Sequence, residues 1–118
     1  MLGGVEQEWF WVSDMDRAVA FYTEALELRL AHRHGDEWAE LEAGPVRLAL
    51  HGGATDERPA GGTVVFEVDD LDASRFAMEM RGVVFDEHVG EVDGVARFAS
   101  FTDPDGNRLQ IIEHYEEH

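Results

Sequence analysis

Residues 12–16, Val-Ser-Asp-Met-Asp, return 56 positions later as residues 68–72, Val-Asp-Asp-Leu-Asp. In both copies a β-prone run precedes the motif, and apolar residues at helical spacing follow it. Aspartate is favoured at such a junction because its carboxylate accepts the first free backbone N–H groups of a helix. Arg47 and Arg108, each followed by leucine, are a second pair of matching positions. The chain is therefore predicted to contain two copies of one supersecondary unit.

Each copy is predicted to run strand, helix and then three more strands, because segments of alternating polarity follow the helix and glycine-rich turns separate them. In the first copy we expect strands over residues 7–12, 29–34, 38–42 and 46–51, with a helix after Ser13 and Asp14. In the second we expect strands over residues 63–68, 83–89, 96–101 and 108–113, and a helix that carries Ala73, Phe76, Ala77 and Met80 and ends at Gly82. The predicted fold class is α+β, with βαβββ modules at about residues 5–51 and 63–114 and a linker at 52–62.

Length and composition restrict the function further. The 118 residues suffice for one compact core, so residues 1–118 are expected to form a single domain. Twenty-six acidic residues against nine arginines give a net charge of -17, which disfavours nucleic acids and anionic membrane surfaces. No apolar run is long enough to span a bilayer, and residues 1–7 lack signal-peptide features, so we expect a cytoplasmic protein.

The acidity has two explanations that the sequence leaves open. A surface rich in carboxylates and free of lysine is typical of a protein that works in concentrated salt, where screening removes self-repulsion. Alternatively, the negative field steers a cationic ligand toward a pocket.

Two motifs place the duplicated unit in a known family. Residues 103–107, Asp-Pro-Asp-Gly-Asn, precede an apolar strand, and residues 14–22 follow the pattern Asp-x-Asp-x-x-x-x-Phe-Tyr. With the repeated βαβββ order, residues 5–113 resemble the vicinal oxygen chelate superfamily, which includes glyoxalase I, extradiol dioxygenases, fosfomycin-resistance enzymes and bleomycin-resistance proteins. The resemblance implies curved mixed sheets that enclose a cavity (the glyoxalase/bleomycin resistance fold) and a homodimer. Glu27 departs from it, because the family usually has glycine there and a left-handed conformation costs a residue with a Cβ about 1 kcal/mol.

The resemblance also indicates where a metal would be bound. Metal-dependent members carry one ligand on the first and one on the last strand of each unit, which corresponds here to Gln7, Ala49, Thr63 and Gln110. Alanine has no donor atom, and two amides with one hydroxyl compensate poorly for the dehydration of a divalent ion. We therefore expect no metal and no cofactor. A register error of one residue would instead bring forward His51, Glu6, Glu8 or Glu113.

Strand alternation predicts which side chains share the cavity face. Trp9 and Trp11 fall on the face of Gln7, His51 on that of Ala49, and Val65 and Glu67 on that of Thr63. Indoles, amides, a carboxylate and an imidazole suit a planar or cationic organic ligand, held by stacking and cation–π contacts and oriented by Glu67. The alternative, that both tryptophans only fill the space between the sheets, stays open.

His32 and His34 form a separate pair, because spacing i, i+2 puts both on one face of a predicted strand. They are interpreted either as a metal-binding pair or as two exposed polar residues.

Three functions are consistent with these residues. The first is a metal-independent small-molecule binding protein of the antibiotic-sequestering type, which binds an aromatic or cationic organic ligand as a homodimer. The second is a metal-dependent lyase, isomerase or dioxygenase with ligands in another register. The third is a metal-free enzyme in which Glu67 or His51 acts as a general base.

Overall fold

The elements form two separate βαβββ groups in a computed structural model that describes residues 6–53, 63–87 and 89–115. The first unit, Met1–Gly61, contains β1 (Gln7–Val12), α1 (Met15–Ala20), a π-helical segment (Phe21–Ala25), β2 (Arg29–His34), β3 (Trp38–Ala43) and β4 (Val46–Gly52). The second unit, Gly62–His118, contains β5 (Val64–Glu67), α2 (Leu71–Met80), β6 (Gly90–Val92), β7 (Ala96–Thr102) and β8 (Arg108–His114).

Each unit has one four-stranded mixed sheet, with strand order β1-β4-β3-β2 in the first and β5-β8-β7-β6 in the second. The first strand of each unit pairs in parallel with the last, and the other neighbours are antiparallel. The predicted α+β class with two βαβββ modules is confirmed. Of the predicted linker, Gly52 still pairs with Val12 and belongs to β4, while residues 54–62 lie outside the described residues.

The repeated aspartates start both main helices. A carboxylate oxygen of Asp14 accepts the backbone N–H of Arg17 at 3.0 Å, and Asp70 accepts that of Ala73 at 3.0 Å. Both caps have extended backbone angles, as expected for a residue that leads into a helix without belonging to it. The repeat seen in the sequence is therefore a repeat of helix N-termini.

The turn before β8 is organised around one buried carboxylate. Asp103 is 4% exposed, and its Oδ1 accepts the backbone N–H groups of Asp105 and Asn107, both at 2.9 Å. Its Oδ2 accepts the side-chain amide of Asn107 at 2.8 Å. Gly106 has φ +82°, which a residue with a Cβ rarely adopts. The family motif at residues 103–107 therefore encodes the turn.

Glu27 adopts a left-handed conformation, with φ +58°, at the position where the family usually has glycine. It follows the π-helical segment, and the backbone N–H of Leu28 reaches back to the carbonyl of Tyr22 at 2.9 Å. This is the geometry in which a helix end favours glycine.

The strand predicted over residues 83–89 does not form as a strand. Val83 and Phe85 are buried and Val84 is 80% exposed, but the only pairing that the described residues make there is a single bridge from Phe85 to Phe101. Alternating polarity in a sequence indicates that one side of the segment is buried. Packing alone can bury that side, without a neighbouring strand that hydrogen-bonds to the segment. The strand that pairs with β7 on the side away from β8 is β6, which begins at Gly90. A Cβ at Gly90 would collide with the ring of Phe98.

The second helix buries a different face from the one its larger apolar residues suggest. Phe76 and Met80 are 67% and 73% exposed, whereas Leu71 and Met78 are buried. The guanidinium of Arg75 lies 5.1 Å from the ring centroid of Phe85 and takes part of the inward face. The spacing of Phe76 and Met80 therefore marks the helix but not its buried face.

Each helix is also tied to its own sheet by an arginine. Arg33 of β2 contacts Asp16 at 2.7 Å, and Arg97 of β7 contacts Asp72 at 3.1 Å. Glu113 of β8 accepts the backbone N–H of Leu71, the first residue of α2, at 2.6 Å and also lies 3.3 Å from Arg97. Among the described residues, no helix is both long and apolar enough to cross a membrane.

Candidate functional site

Three tryptophans and a histidine form one aromatic cluster on the sheet of the first unit, and these are all the tryptophans of the chain. The ring of His51 lies 4.6 Å from Trp9, 5.3 Å from Trp11 and 4.3 Å from Trp38, measured between centroids. Trp9 and Trp11 are 5.1 Å apart and nearly perpendicular. We call Trp9, Trp11, Trp38 and His51 the aromatic cluster.

Alternation along β1 separates this cluster from the core. Phe10 and Val12 are 2% and 0% exposed and lie on the opposite face of the strand, whereas Trp9 is 43% exposed. Burying an indole face of this size against a ligand is favourable because it removes apolar area from water. The cluster is therefore available on the face away from the buried core.

Strand register explains how the cluster assembles. In β4, Ala49 and His51 pair with Trp9 and Trp11 on one side and with Glu40 and Trp38 on the other. Ala49 is 0% exposed although it shares the face of His51, so its small side chain lies beneath larger neighbours. Gln7, half-buried at the start of β1, pairs with Arg47. The structure thus brings Gln7, Trp9, Trp11, Ala49 and His51 onto one face.

Burial lowers the pKa of His51 from its ordinary value of 6.5 because desolvation disfavours the charged imidazolium. The imidazole is consequently neutral at neutral pH. A neutral imidazole has one nitrogen that accepts a hydrogen bond or a proton and one that donates. In this cluster it is the polar group of an otherwise aromatic surface.

Trp38 and Glu40 are site residues that the sequence analysis missed. Trp38 Nε1 donates to Glu40 Oε2 at 3.2 Å, and both residues belong to β3, which pairs with β4. The signal was present, because Trp38 and Glu40 share a face by alternation. What the sequence lacks is the β3–β4 register that sets Trp38 opposite His51.

The remaining predicted residues belong to the second unit. Thr63 is exposed just before β5, Val65 pairs with Gln110, and Glu67 pairs with Ile112. Gln110 donates its side-chain amide to the hydroxyl of Ser100 at 3.1 Å. A pocket of about 320 Å³ is lined by Glu67, Val68, Asp69 and His114.

The four positions that correspond to the family's metal ligands do not fit a metal. Ala49 has no donor atom and is fully buried, and Gln110 already donates to Ser100. In the part of the chain that the structure describes, no three histidine, aspartate or glutamate side chains converge in a way that would hold an ion. Of the alternatives from a shifted register, Glu113 is engaged with the start of α2 and with Arg97.

Comparison with known proteins agrees with this architecture. The family described as Glyoxalase/Bleomycin resistance protein/Dioxygenase superfamily matches residues 6–111. No curated protein matches the chain in sequence.

Solved structures of similar fold include proteins of different roles. An antibiotic binding protein from Streptomyces sp. CB03234, TnmS3, is 26% identical with a TM-score of 0.79, over 97% of this chain and 98% of that one. Lactoylglutathione lyase from Agrobacterium tumefaciens is 20% identical with a TM-score of 0.79, over 95% and 94%. A putative glyoxalase family protein from Bacillus anthracis is 14% identical with a TM-score of 0.82, over 98% of each chain.

Proposed function

Because the chain belongs to the Glyoxalase/Bleomycin resistance protein/Dioxygenase superfamily, we propose that it is a metal-independent binding protein for an aromatic organic ligand. The observation that supports this most is the aromatic cluster, in which three indoles surround a neutral imidazole on one sheet face. A planar ligand stacks on the exposed face of Trp9, and His51 supplies one directional hydrogen bond.

Two further observations support the binding role. The donor set Gln7, Ala49, Thr63 and Gln110 has neither imidazole nor carboxylate, so the metal-dependent reactions of the superfamily lack suitable ligands here. The similarity to an antibiotic binding protein, at 26% identity over nearly the whole of both chains, also supports a binding role.

The charge of -17 favours cationic over anionic aromatic ligands. Glu67, exposed at the end of β5, lines a pocket of the second unit with Val68, Asp69 and His114, and we propose it as a carboxylate that attracts a cationic ligand to that unit. The chain is further proposed to act as one domain in a cytoplasmic homodimer.

The test is a calorimetric titration with acridine orange, a planar aromatic cation, and with neutral acridone. Trp9→Ala is expected to weaken the binding of both probes by about 1–3 kcal/mol, because truncating a well-packed aromatic anchor costs that much binding free energy. Phe76→Ala is the matched control, since Phe76 is also exposed but lies on α2. Glu67→Gln should lower the affinity for acridine orange but not for acridone, because only the cation is attracted by a carboxylate. Absence of binding to both probes, or equal affinity in Trp9→Ala and the parent, would refute the proposal.

A metal-free enzyme is the second candidate, and the lowered pKa of His51 favours it because a neutral imidazole can accept a proton. The alternative base is Glu67. Exchange of the acidic C–H protons of 2-indanone in D₂O, followed by NMR, tests this role directly. Exchange that disappears in His51→Gln, while acridone affinity persists, would establish His51 as the base, and exchange no faster than in buffer would remove the candidate.

A further inference from the structure

His32 and His34 bring two imidazole nitrogens together on β2, the strand at the edge of the first sheet. Their Nε2 atoms are 2.8 Å apart, and their ring centroids are 4.4 Å apart. Both residues are exposed, and among the strands that the structure describes β2 has β3 as its one neighbour, so solvent reaches the pair. Spacing i, i+2 holds both side chains on one face.

The two nitrogens are joined by a hydrogen bond, and its length is compatible with adjacent positions in one coordination sphere. With metal–nitrogen bonds of about 2.0–2.1 Å, a nitrogen–nitrogen distance of 2.8 Å corresponds to an angle of about 86° at the metal. Square-planar and octahedral ions have adjacent ligands near 90°, whereas a tetrahedral ion needs a wider angle and nitrogens about 3.4 Å apart. The pair therefore fits Cu²⁺ or Ni²⁺ better than Zn²⁺.

We propose that His32 and His34 form a two-histidine chelate for Cu²⁺, with water in the remaining positions. Copper is chosen because imidazole nitrogen binds it more tightly than the other divalent ions of the first transition series. In the bound state both imidazoles coordinate through Nε2, so the ring whose Nε2 now donates the hydrogen bond carries its proton on Nδ1 instead. Acidification therefore opposes binding, because protons compete for the same nitrogens.

The surroundings favour a cation at this place. Glu40 is the cross-strand partner of His32, so its carboxylate lies on the same face, and the whole chain carries a charge of -17. The site lies on β2 and is distinct from the superfamily's metal positions, which correspond to residues of the first and last strands or adjacent to them. It depends on neither the aromatic ligand nor the absence of a metal at Gln7, Ala49, Thr63 and Gln110.

The experiment is a titration of the full, tag-free chain with CuSO₄, followed by calorimetry and by electron paramagnetic resonance. We expect one site per chain with nitrogen hyperfine structure from two imidazoles. His32→Gln and His34→Gln should each raise the Kd for Cu²⁺ at least about tenfold, because a bidentate chelate becomes monodentate. His114→Gln, which changes an exposed histidine of β8, should leave the Kd unchanged.

Circular dichroism of each variant should match the parent, since both histidines are exposed on an edge strand. Ni²⁺, added as NiCl₂, should bind the same pair more weakly than Cu²⁺. Zn²⁺, added as ZnCl₂, should bind it more weakly than either. The proposal is overturned if either β2 variant binds Cu²⁺ as the parent does, if the spectrum shows oxygen ligands only, or if His114→Gln abolishes binding.

Discussion

The rings of Trp38 and His51 lie 4.3 Å apart at an interplanar angle of 83°, on two antiparallel strands that pair these residues directly. The indole covers the imidazole from one side while Trp9 and Trp11 approach it from the neighbouring strand. Water is displaced from His51 on both sides, which is the physical cause of its lowered pKa.

The first prediction concerns the pH dependence of stability. The unfolded chain binds a proton at His51 near pH 6.5, whereas the folded chain binds it only at lower pH. The contribution of His51 to the free energy of unfolding is therefore largest above pH 6.5. It decreases as the pH falls through that value, and it becomes constant below the lowered pKa. Urea unfolding between pH 8 and 5 should show a steeper loss in the parent than in His51→Gln, and parallel curves would contradict this.

The second prediction concerns metal removal. Incubation with EDTA should leave the affinity for acridone and the midpoint of thermal unfolding unchanged, because the positions of Gln7, Ala49, Thr63 and Gln110 supply no imidazole or carboxylate. Elemental analysis of protein purified without added metal should find less than one transition metal per chain. A tightly held stoichiometric metal whose removal abolishes ligand binding would contradict the proposed function.

The third prediction separates the two explanations of the acidity. If the charge of -17 is an adaptation to salt, the midpoint of thermal unfolding should rise steeply toward molar KCl, because screening relieves repulsion in the folded state. Sucrose at equal osmolality is the control, since it stabilises compact states without screening. A flat response to KCl, together with affinity for acridine orange that falls with salt, would instead assign the field to ligand steering.

The fourth prediction concerns the strained helix end. Glu27→Gly should stabilise the protein by about 0.5–1 kcal/mol, because glycine adopts φ +58° without the steric cost that a Cβ imposes. Glu24→Gly is the matched control within the π-helical segment, and it should destabilise by a similar amount because glycine disfavours helices. Urea unfolding measures both, and a Glu27→Gly variant less stable than the parent would contradict the assignment of strain.

The fold was predictable because its signals are local. Helix caps at Asp14 and Asp70, alternation in β1, and the turn around Asp103 all depend on residues a few positions apart. The face of β1 that lies away from the buried core could also be predicted from alternation, since Phe10 is buried and Trp9 is exposed.

Other features depend on pairing between distant segments, which composition and periodicity do not encode. Trp38 joins the aromatic cluster only through its register with His51. Residues 83–87 alternate in polarity as a strand would, but they do not form one, because the strand that pairs with β7 there is β6, which begins at Gly90. Phe76 and Met80 have helical spacing, yet Arg75 packs over Phe85 and the larger apolar residues remain outside.

Asp16 and Asp72 occupy equivalent places in the repeat, yet Asp16 is held by an arginine of the second strand of its unit and Asp72 by one of the third. If the halves arose by duplication, the same helix anchor was rebuilt from different strands as they diverged. In the part of the chain that the structure describes, each of these two anchors lies within one half, as does every strand pairing. A gene that encodes two copies of the first half would therefore carry the Arg33–Asp16 anchor twice and double the tryptophan-bearing face.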